Sequence, residues 1–372
     1  MNIMAEILTR FEKAFEKGFK GEVESFKVWL EKQGVAPQKF RYDTITEELI
    51  ARHLFINRVE ELETIAEFLG FYVRERKEVF HIPVIGPSGI GKTALLHAIE
   101  FALSKLDTPL KFKYYDALTF GELDEEEEPQ VFFRYLDEVK SESCDVLLID
   151  ACEKDRNIDY SLREFLRALK RFVLITSWEP QFWHILKDTI EEAIPTANQL
   201  FLKPFSGEST KQLLEKVLLV LSDGKTELPR EVITKISEIS EGIPGVAIRL
   251  LLKSFYEAFI SEKSSVDAES VLKAASSLGI LGLNEKLGKL TEIHEIILRL
   301  ILQSIDPRGI RPTELVEKLG KDKATVSYHL NYLLSEGLLS VRRLGRYAFY
   351  QVKEELRPFV QLKIVQEGDF LA

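Results

Sequence analysis

Apolar residues along this chain switch between two rhythms, and the switch points divide it into blocks. At the start, Ile7, Phe11, Phe15 and Phe19 recur at helical spacing with Gly18 and Gly21 as interruptions, which predicts two short amphipathic helices over Met1 to Gln33. After Leu54-Phe55-Ile56-Asn57-Arg58, a helix follows with Val59, Leu62, Ile65, Phe68 and Leu69 on one face. From Val79 the pattern becomes short apolar runs separated by helical stretches. The runs are Val79 to Ile85, Leu110 to Tyr115, Val146 to Ile149, Phe172 to Ile175 and Gln199 to Leu202. The intervening helices cover Ala94 to Leu106, Val131 to Glu142 and Tyr160 to Lys170. Central runs that are apolar on both faces predict a parallel sheet covered by helices on both sides.

Past Pro204-Phe205 the rhythm is helical through Gly279, so Ser206 to Gly279 reads as a helical subdomain. The glycine-punctuated stretch Gly279 to Gly288 reads as a linker. Thr291 to Gln361 then predicts three helices and a hairpin. The expected organisation is an N-terminal helical segment over 1–50, an α/β domain over 51–205, a helical lid over 206–285 and a terminal module over 286–372. At 372 residues, two or three domains are the ordinary expectation.

Composition narrows the class. The chain is 45% hydrophobic and 30% charged with a net charge of −10, so any nucleic-acid contact must come from a local basic patch. Cys144 and Cys152 flank a predicted buried strand and make neither a disulfide framework nor a metal-binding spacing. No apolar run reaches membrane-spanning length and Met1 to Arg10 lacks a signal-peptide pattern, so a cytoplasmic address is expected. The acidic run Glu125 to Glu128 reads as a solvated loop.

Chemistry concentrates at Gly86-Pro87-Ser88-Gly89-Ile90-Gly91-Lys92-Thr93, placed between a predicted strand and a predicted helix that opens at Ala94. Glycines there let backbone N–H groups converge on phosphate oxygens, and the helix N-terminus adds partial positive charge. Lys92 is positioned to neutralise the β and γ phosphates of ATP or ADP, and the Thr93 hydroxyl to hold Mg2+. Asp150, at the end of the apolar run Val146 to Ile149, is the expected second anchor for Mg2+. Glu153 is the nearest carboxylate that could orient water, because Ala151 follows Asp150 directly. Thr176-Ser177 end the next run, where a polar side chain can approach the γ-phosphate, and Arg249 lies one turn into a helix opened by Gly242-Ile243-Pro244.

In the terminal module, Pro312 to Gly320 predicts a short helix with Thr313 near its N-cap, Lys321-Asp322-Lys323 a turn, and Ala324 to Glu336 a third helix. That helix is expected to bury Val326, Leu330, Leu333 and Leu334 and to present Thr325, Ser327, Tyr328, Asn331 and Tyr332. Leu339 to Arg343 and Tyr347 to Val352 pair around Leu344-Gly345-Arg346. From Asp306 to the end, 11 Lys or Arg face 9 Asp or Glu, a net of +2 in a chain of −10. Lys321, Lys323, Arg342, Arg343 and Arg346 are the cations that a double-stranded DNA contact would use, with docking of a protein as the other reading of such a module.

The ordered set Phe55-x-Asn57-Arg58-x-x-Glu61, Gly86 to Thr93, Leu147 to Asp150, Thr176-Ser177, Leu202 to Ser206 and Gly242-Ile243-Pro244 with Arg249 resembles AAA+ ATPases. It is similar in particular to archaeal origin-recognition-type initiators and STAND-like archaeal ATPases, and the run from Ala324 to Leu339 resembles winged-helix DNA-binding domains. The likeness begins near Leu54. It implies that Asn57-Arg58 lies near the adenine, that Thr176 or Ser177 is sensor 1, and that Arg249 is sensor 2. Ala151 departs from the usual catalytic Glu, which points to slow hydrolysis, and Arg156, Arg163, Arg167 and Arg171 are the arginine-finger candidates. The implied role is an ATP switch acting on DNA in replication initiation or mobile-element maintenance, with a STAND-like ATP-gated transcription regulator, whose winged helix binds promoters or partner proteins, as the alternative. The N-terminal helices are expected to pack on the body of the protein or on a partner, either a second copy of the chain (a homo-oligomer) or another protein.

Overall fold

In a computed structural model the described residues are 24–75, 79–107, 110–118, 128–155, 157–194, 196, 199–304, 306 and 308–366. Residues 1–23 and most of the acidic stretch 121–128 lie outside them, as does Arg156. Elements are numbered over the described residues.

Five parallel strands form the central sheet: β1 (Phe80–Ile85), β2 (Phe112–Asp116), β3 (Val146–Asp150), β4 (Val173–Trp178) and β5 (Leu200–Phe201), in spatial order β2-β3-β4-β1-β5. All five residues of β3 and all six of β4 are buried. The strand period of two sorts them onto two faces. Val146, Leu148, Val173 and Ile175 pack with Leu95, Leu96 and Ile99 of helix α4 (Lys92–Lys105). Leu147, Ile149 and Leu174 pack on the other side with Phe132, Leu162 and Phe165. These last three come from α5 (Glu128–Ser141) and α6 (Ile158–Ala168), and α7 (Pro180–Ala193) follows β4. The glycine-rich phosphate-binding motif Gly86 to Thr93, the P-loop, therefore follows β1 and runs into α4 as expected. Helix α3 (Val59–Glu75) buries Ile65, Leu69 and Tyr72, whereas Val59, expected on that inner face, is 60% exposed because it sits in the first turn, ahead of the sheet.

The lid is built from α8 (Gly207–Ser222), α9 (Arg230–Ile239), α10 (Pro244–Ile260) and α11 (Ala268–Ser277). Its core also takes in the front of the chain. Trp29 and Leu30 of α1 (Phe26–Lys32), with Ile45 and Leu49 of α2 (Tyr42–Ala51), are buried among Leu214, Val217, Leu251 and Phe255. The Trp29 indole N–H donates to the Lys263 carbonyl at 2.9 Å, and Phe26 packs edge-on against Phe40 and Tyr256. Residues separated by more than 200 positions thus share one apolar interior.

The expected linker Gly279 to Gly288 is packed instead. It forms helix α12 (Leu283–Gly288), and Leu283 and Leu287 are buried with Ile297, Leu298 and Leu356 of the terminal module. Burying leucines at this spacing stabilises the junction more than its glycines loosen it. The terminal module comprises α13 (Glu292–Leu302), α14 (Pro312–Leu319), α15 (Lys323–Ser335), the antiparallel hairpin β6 (Leu339–Leu344) and β7 (Tyr347–Val352), and α16 (Arg357–Gln366). Arg311, not Thr313, holds the N-cap position of α14, with Pro312 first in the helix.

Candidate nucleotide site and nucleic-acid face

The P-loop gets its shape from two glycines in left-handed backbone conformations, Gly89 at φ +71° and Gly91 at φ +102°. Gly91 caps α4, so the free amides of that 14-residue helix point into the loop's concavity. Lys92 Nζ donates to the carbonyls of Gly86 at 2.8 Å and Pro87 at 3.2 Å, which holds the ammonium over the loop. Thr93 is exposed beside it, Ala94 is half-buried, and Ile90 is fully buried as the anchor beneath.

Strand parity decides which polar residues reach this site. Asp150 and Ser177 end the rows Val146-Leu148 and Val173-Ile175, which face α4. The Ser177 hydroxyl donates to the Asp150 carboxylate, which also accepts from Tyr114 Oη at 3.0 Å and the Ala151 N–H at 2.9 Å. Ala151 N–H donates as well to Ser177 Oγ at 2.8 Å, at a residue with φ +51°. Thr176 belongs to the opposite face. Its hydroxyl lies 2.6 Å from His81 Nε2 and accepts from the Trp178 indole at 2.7 Å, and it is fully buried. Between the two sensor 1 residues expected above, only Ser177 faces the phosphate side, and Thr176 is corrected to a core role. Burial pushes His81 down to about 3, so it stays neutral in this core.

Two carboxylates converge near Lys92. Glu153 accepts from the Glu179 N–H at 3.3 Å. Burial and the neighbouring Glu179 charge push Glu153 up to about 7, with Lys92 opposing. Burial also pushes Glu179 up, but Arg357 and Lys92 outweigh it and hold this carboxyl at about 2. Its carboxylate accepts from Arg357 Nη2 at 2.5 Å, Gln181 Nε2 at 2.7 Å and Gln361 Nε2 at 3.0 Å. Glu179, Arg357 and Gln361 escaped sequence reasoning, because only folding brings residues about 180 positions apart together.

A mostly apolar cavity of about 430 Å³ continues from Gly91 and Thr93 between the sheet and the lid. Tyr42, Thr46, Ile50, Phe55, Asn57 and Ile248 are among its lining residues. An apolar slot leading to an amide cradle, an ammonium and a hydroxyl fits a nucleoside triphosphate: base in the slot, phosphates on the loop. Thr93 with Asp150 supplies the oxygen donors that suit Mg2+. Asn57, exposed at φ +60°, lines this cavity. Arg58 lines it as well, and its guanidinium donates to the Ile90 carbonyl at 3.0 Å and to Glu61 at 3.1 Å, 4.8 Å over the Phe205 ring. Thr46 and Ile50 come from α2, a stretch in which the sequence offered no motif.

The lid closes on this site through Gly245, whose N–H donates to the Gly89 carbonyl at 2.8 Å. Arg249, one turn further along, stacks 4.8 Å over Tyr42 and lies 3.8 Å from Glu354 of the terminal module. Arg163, Arg167 and Arg171 are exposed on or just after α6, and Arg167 pairs with Glu164.

On the terminal module, Ser327, Tyr328 and Asn331 are exposed along α15, with Tyr328 at 68%, and Lys321 and Lys323 are exposed at its start. Arg342, Arg343 and Arg346 are exposed along the hairpin. Two expected face residues differ. Thr325 is half-buried and its hydroxyl donates to Asp322 Oδ2 at 2.6 Å as part of the helix cap. Tyr332 turns inward and stacks on His294 at 4.4 Å. Leu334, expected in the core, is half-buried.

No helix among the described residues is long and apolar enough to cross a membrane. A family model described as a bacterial regulatory protein of the arsR family matches residues 299–341, from α13 into β6. An uncharacterised HTH-type transcriptional regulator of Methanocaldococcus jannaschii is 24% identical, covering 86% of this chain and 92% of its own length. The Holliday junction branch migration complex subunit RuvB of Thermosipho melanesiensis is 26% identical over 78% of this chain and 92% of its own. Among solved structures, the Aeropyrum pernix ORC1 protein in complex with DNA has a TM-score of 0.46 at 17% identity, covering 85% of this chain and 94% of that one. Thermotoga maritima RuvB gives 0.44 at 21% identity, covering 82% and 95%. With its sheet order, P-loop, lid and terminal hairpin, this chain has the fold of a P-loop α/β domain with a helical lid, followed by a C-terminal winged helix-turn-helix module.

Proposed function

We propose that this protein binds ATP with Mg2+ between its sheet and lid, and that the bound nucleotide sets how its winged helix engages double-stranded DNA. The observation that carries this reading is the continuity of the amide cradle at Gly89 to Thr93 with the apolar cavity under the lid. ATP brings a γ-phosphate and, with Mg2+, a polarised phosphoryl group. Main-chain amides and Lys92 bind the phosphates, Thr93 and Asp150 hold the cation, and Ser177 fixes Asp150. Arg249 reaches the phosphates from the lid. Glu153, poised near neutrality, takes a proton from water, and its position three residues after Asp150 makes turnover slow.

Lys321, Lys323 and the wing arginines hold DNA phosphates, while Ser327, Tyr328 and Asn331 meet base edges. The match to a regulatory family and the likeness to a named transcriptional regulator favour promoter control over replication initiation or element maintenance. Chromatin capture of the tagged protein in its native host tests this choice. Enrichment upstream of genes supports the regulatory role, and enrichment confined to an origin or a mobile element supports the other. The biochemical core is tested by duplex titration with ATP, ADP and no nucleotide: affinity that shifts with nucleotide and is insensitive to it in Lys92→Ala supports the proposal.

A further inference from the structure

Three side chains of the winged-helix module reach into the phosphate site from a single stretch of chain. Gln361 Oε1 accepts from the Ser88 N–H of the P-loop at 2.8 Å, across 273 residues of sequence. Gln361 Nε2 donates to Glu179 at 3.0 Å and to Gln181 at 3.1 Å. Arg357, one helical turn earlier on the same face of α16, donates to Glu179 at 2.5 Å. Glu354, in the turn before the helix, lies 3.8 Å from Arg249.

The chemistry of these contacts is that of a ligand. The Ser88 N–H stands on the P-loop one residue before the cradle Gly89 to Thr93, and it can serve the Gln361 carbonyl or a phosphate oxygen, but not both fully. Glu354 offers Arg249 a carboxylate where a phosphate would otherwise draw the guanidinium. Gln361 is 1% exposed and Glu179 5%, so neither group can turn to water while the helix stays docked. Beside the contact, a cavity of about 230 Å³ bounded by Gly86, Pro87, Pro180 and Gln361 shows that the helix does not pack tightly onto the loop.

Building on the nucleotide reading above, we infer that the Glu354–Gln361 stretch is an internal competitor for the phosphate site. Triphosphate binding displaces Gln361 from Ser88 and Glu354 from Arg249, which loosens the winged helix from the ATPase body. The same module that reads DNA thereby reports what the P-loop holds.

The test uses the full chain and a fluorescent ATP analogue with Mg2+. One hydrogen bond of this kind is worth roughly a 5- to 10-fold change in an equilibrium constant. Gln361→Ala is expected to bind the analogue about 5-fold more tightly than the parent, and Glu354→Gln, which removes only a solvent-screened ion pair at 3.8 Å, about 2-fold more tightly. Hydrogen exchange across 354–366 in the unsubstituted protein is expected to rise several-fold on adding ATP and Mg2+. Unchanged or weaker binding by both variants, with melting temperatures equal to the parent, overturns the inference, as does exchange over 354–366 that stays level or falls. If parent and variants alike bind neither ATP nor GTP analogues, the nucleotide reading itself fails and takes this inference with it.

Discussion

Gly245 N donates to Gly89 O at 2.8 Å, so the first turn of the lid helix rests directly on the backbone of the P-loop. The approach is possible because Gly245 carries no side chain. A Cβ at Gly245 would meet Gly89 Cα at 2.9 Å, its carbonyl at 3.1 Å and Tyr42 Oη at 2.9 Å. Gly245→Ala therefore wedges lid and loop apart. Overpacking at this scale costs about 1–3 kcal/mol. The expected result is roughly 10-fold weaker ATP binding with a smaller loss in melting temperature, read by calorimetry and thermal denaturation.

Glu153 gives a pH signature of defined sign. Its proton is retained to about pH 7 in the folded chain, whereas an ordinary glutamate loses it near 4.5. Between those values the folded state holds the extra proton, so this residue costs stability as the pH rises through the window. Glu153→Gln is expected to raise stability at pH 8 by about 1–3 kcal/mol and to match the parent near pH 4. Glu179 acts with the opposite sign: its stabilisation is present above about 4.5 and is lost as the pH falls toward about 2. Melting curves of parent and Glu153→Gln from pH 4 to 8 check the Glu153 effect, and extending the parent's curves to pH 2 checks that of Glu179. ATP hydrolysis by the parent should rise through pH 7, and Glu153→Gln should show no such rise.

Much of this was legible in local pattern, and the exceptions have physical causes. The P-loop and the sheet strands are encoded by contiguous residues, so apolar runs and glycine spacing announce them. The roles of Thr176 and Ser177 were encoded too, in the parity of Val173-Ile175 against Leu174, though the pair alone does not reveal it. Trp29, Leu30 and Ile45 gave no sign of joining the lid, because an amphipathic helix does not name the surface that covers it. The leucines of Gly279 to Gly288 were masked by their glycines. Glu179, Arg357 and Gln361 are ordinary polar residues until tertiary contact gathers them.

Trp29 tests the shared lid interior. It is 4% exposed, packs against Phe255 and Phe259, and satisfies its indole N–H on Lys263. Trp29→Ala is expected to cost about 3–5 kcal/mol, seen as a lower denaturant midpoint. ATP should restore part of that loss, since α2, which packs in the same core, lines the nucleotide cavity.

The hairpin β6–β7 and helix α15 separate by salt dependence. Replacing Arg342, Arg343 and Arg346 together by Ala should lower the slope of log affinity against log salt by up to roughly 3, if each neutralises one phosphate. Tyr328→Ala should leave that slope unchanged and weaken binding by roughly 10-fold on the preferred sequence. Fluorescence anisotropy on one duplex at several salt concentrations measures both.

The most direct test of the account is duplex-DNA affinity of the full chain in ATP–Mg2+, in ADP–Mg2+ and without nucleotide, alongside Lys92→Ala. The account predicts at least a 5-fold difference between ATP and no nucleotide in the parent, and one affinity for Lys92→Ala under all three conditions. Equal DNA affinity of the parent in all three conditions, with ATP binding demonstrated in the same samples, would contradict it.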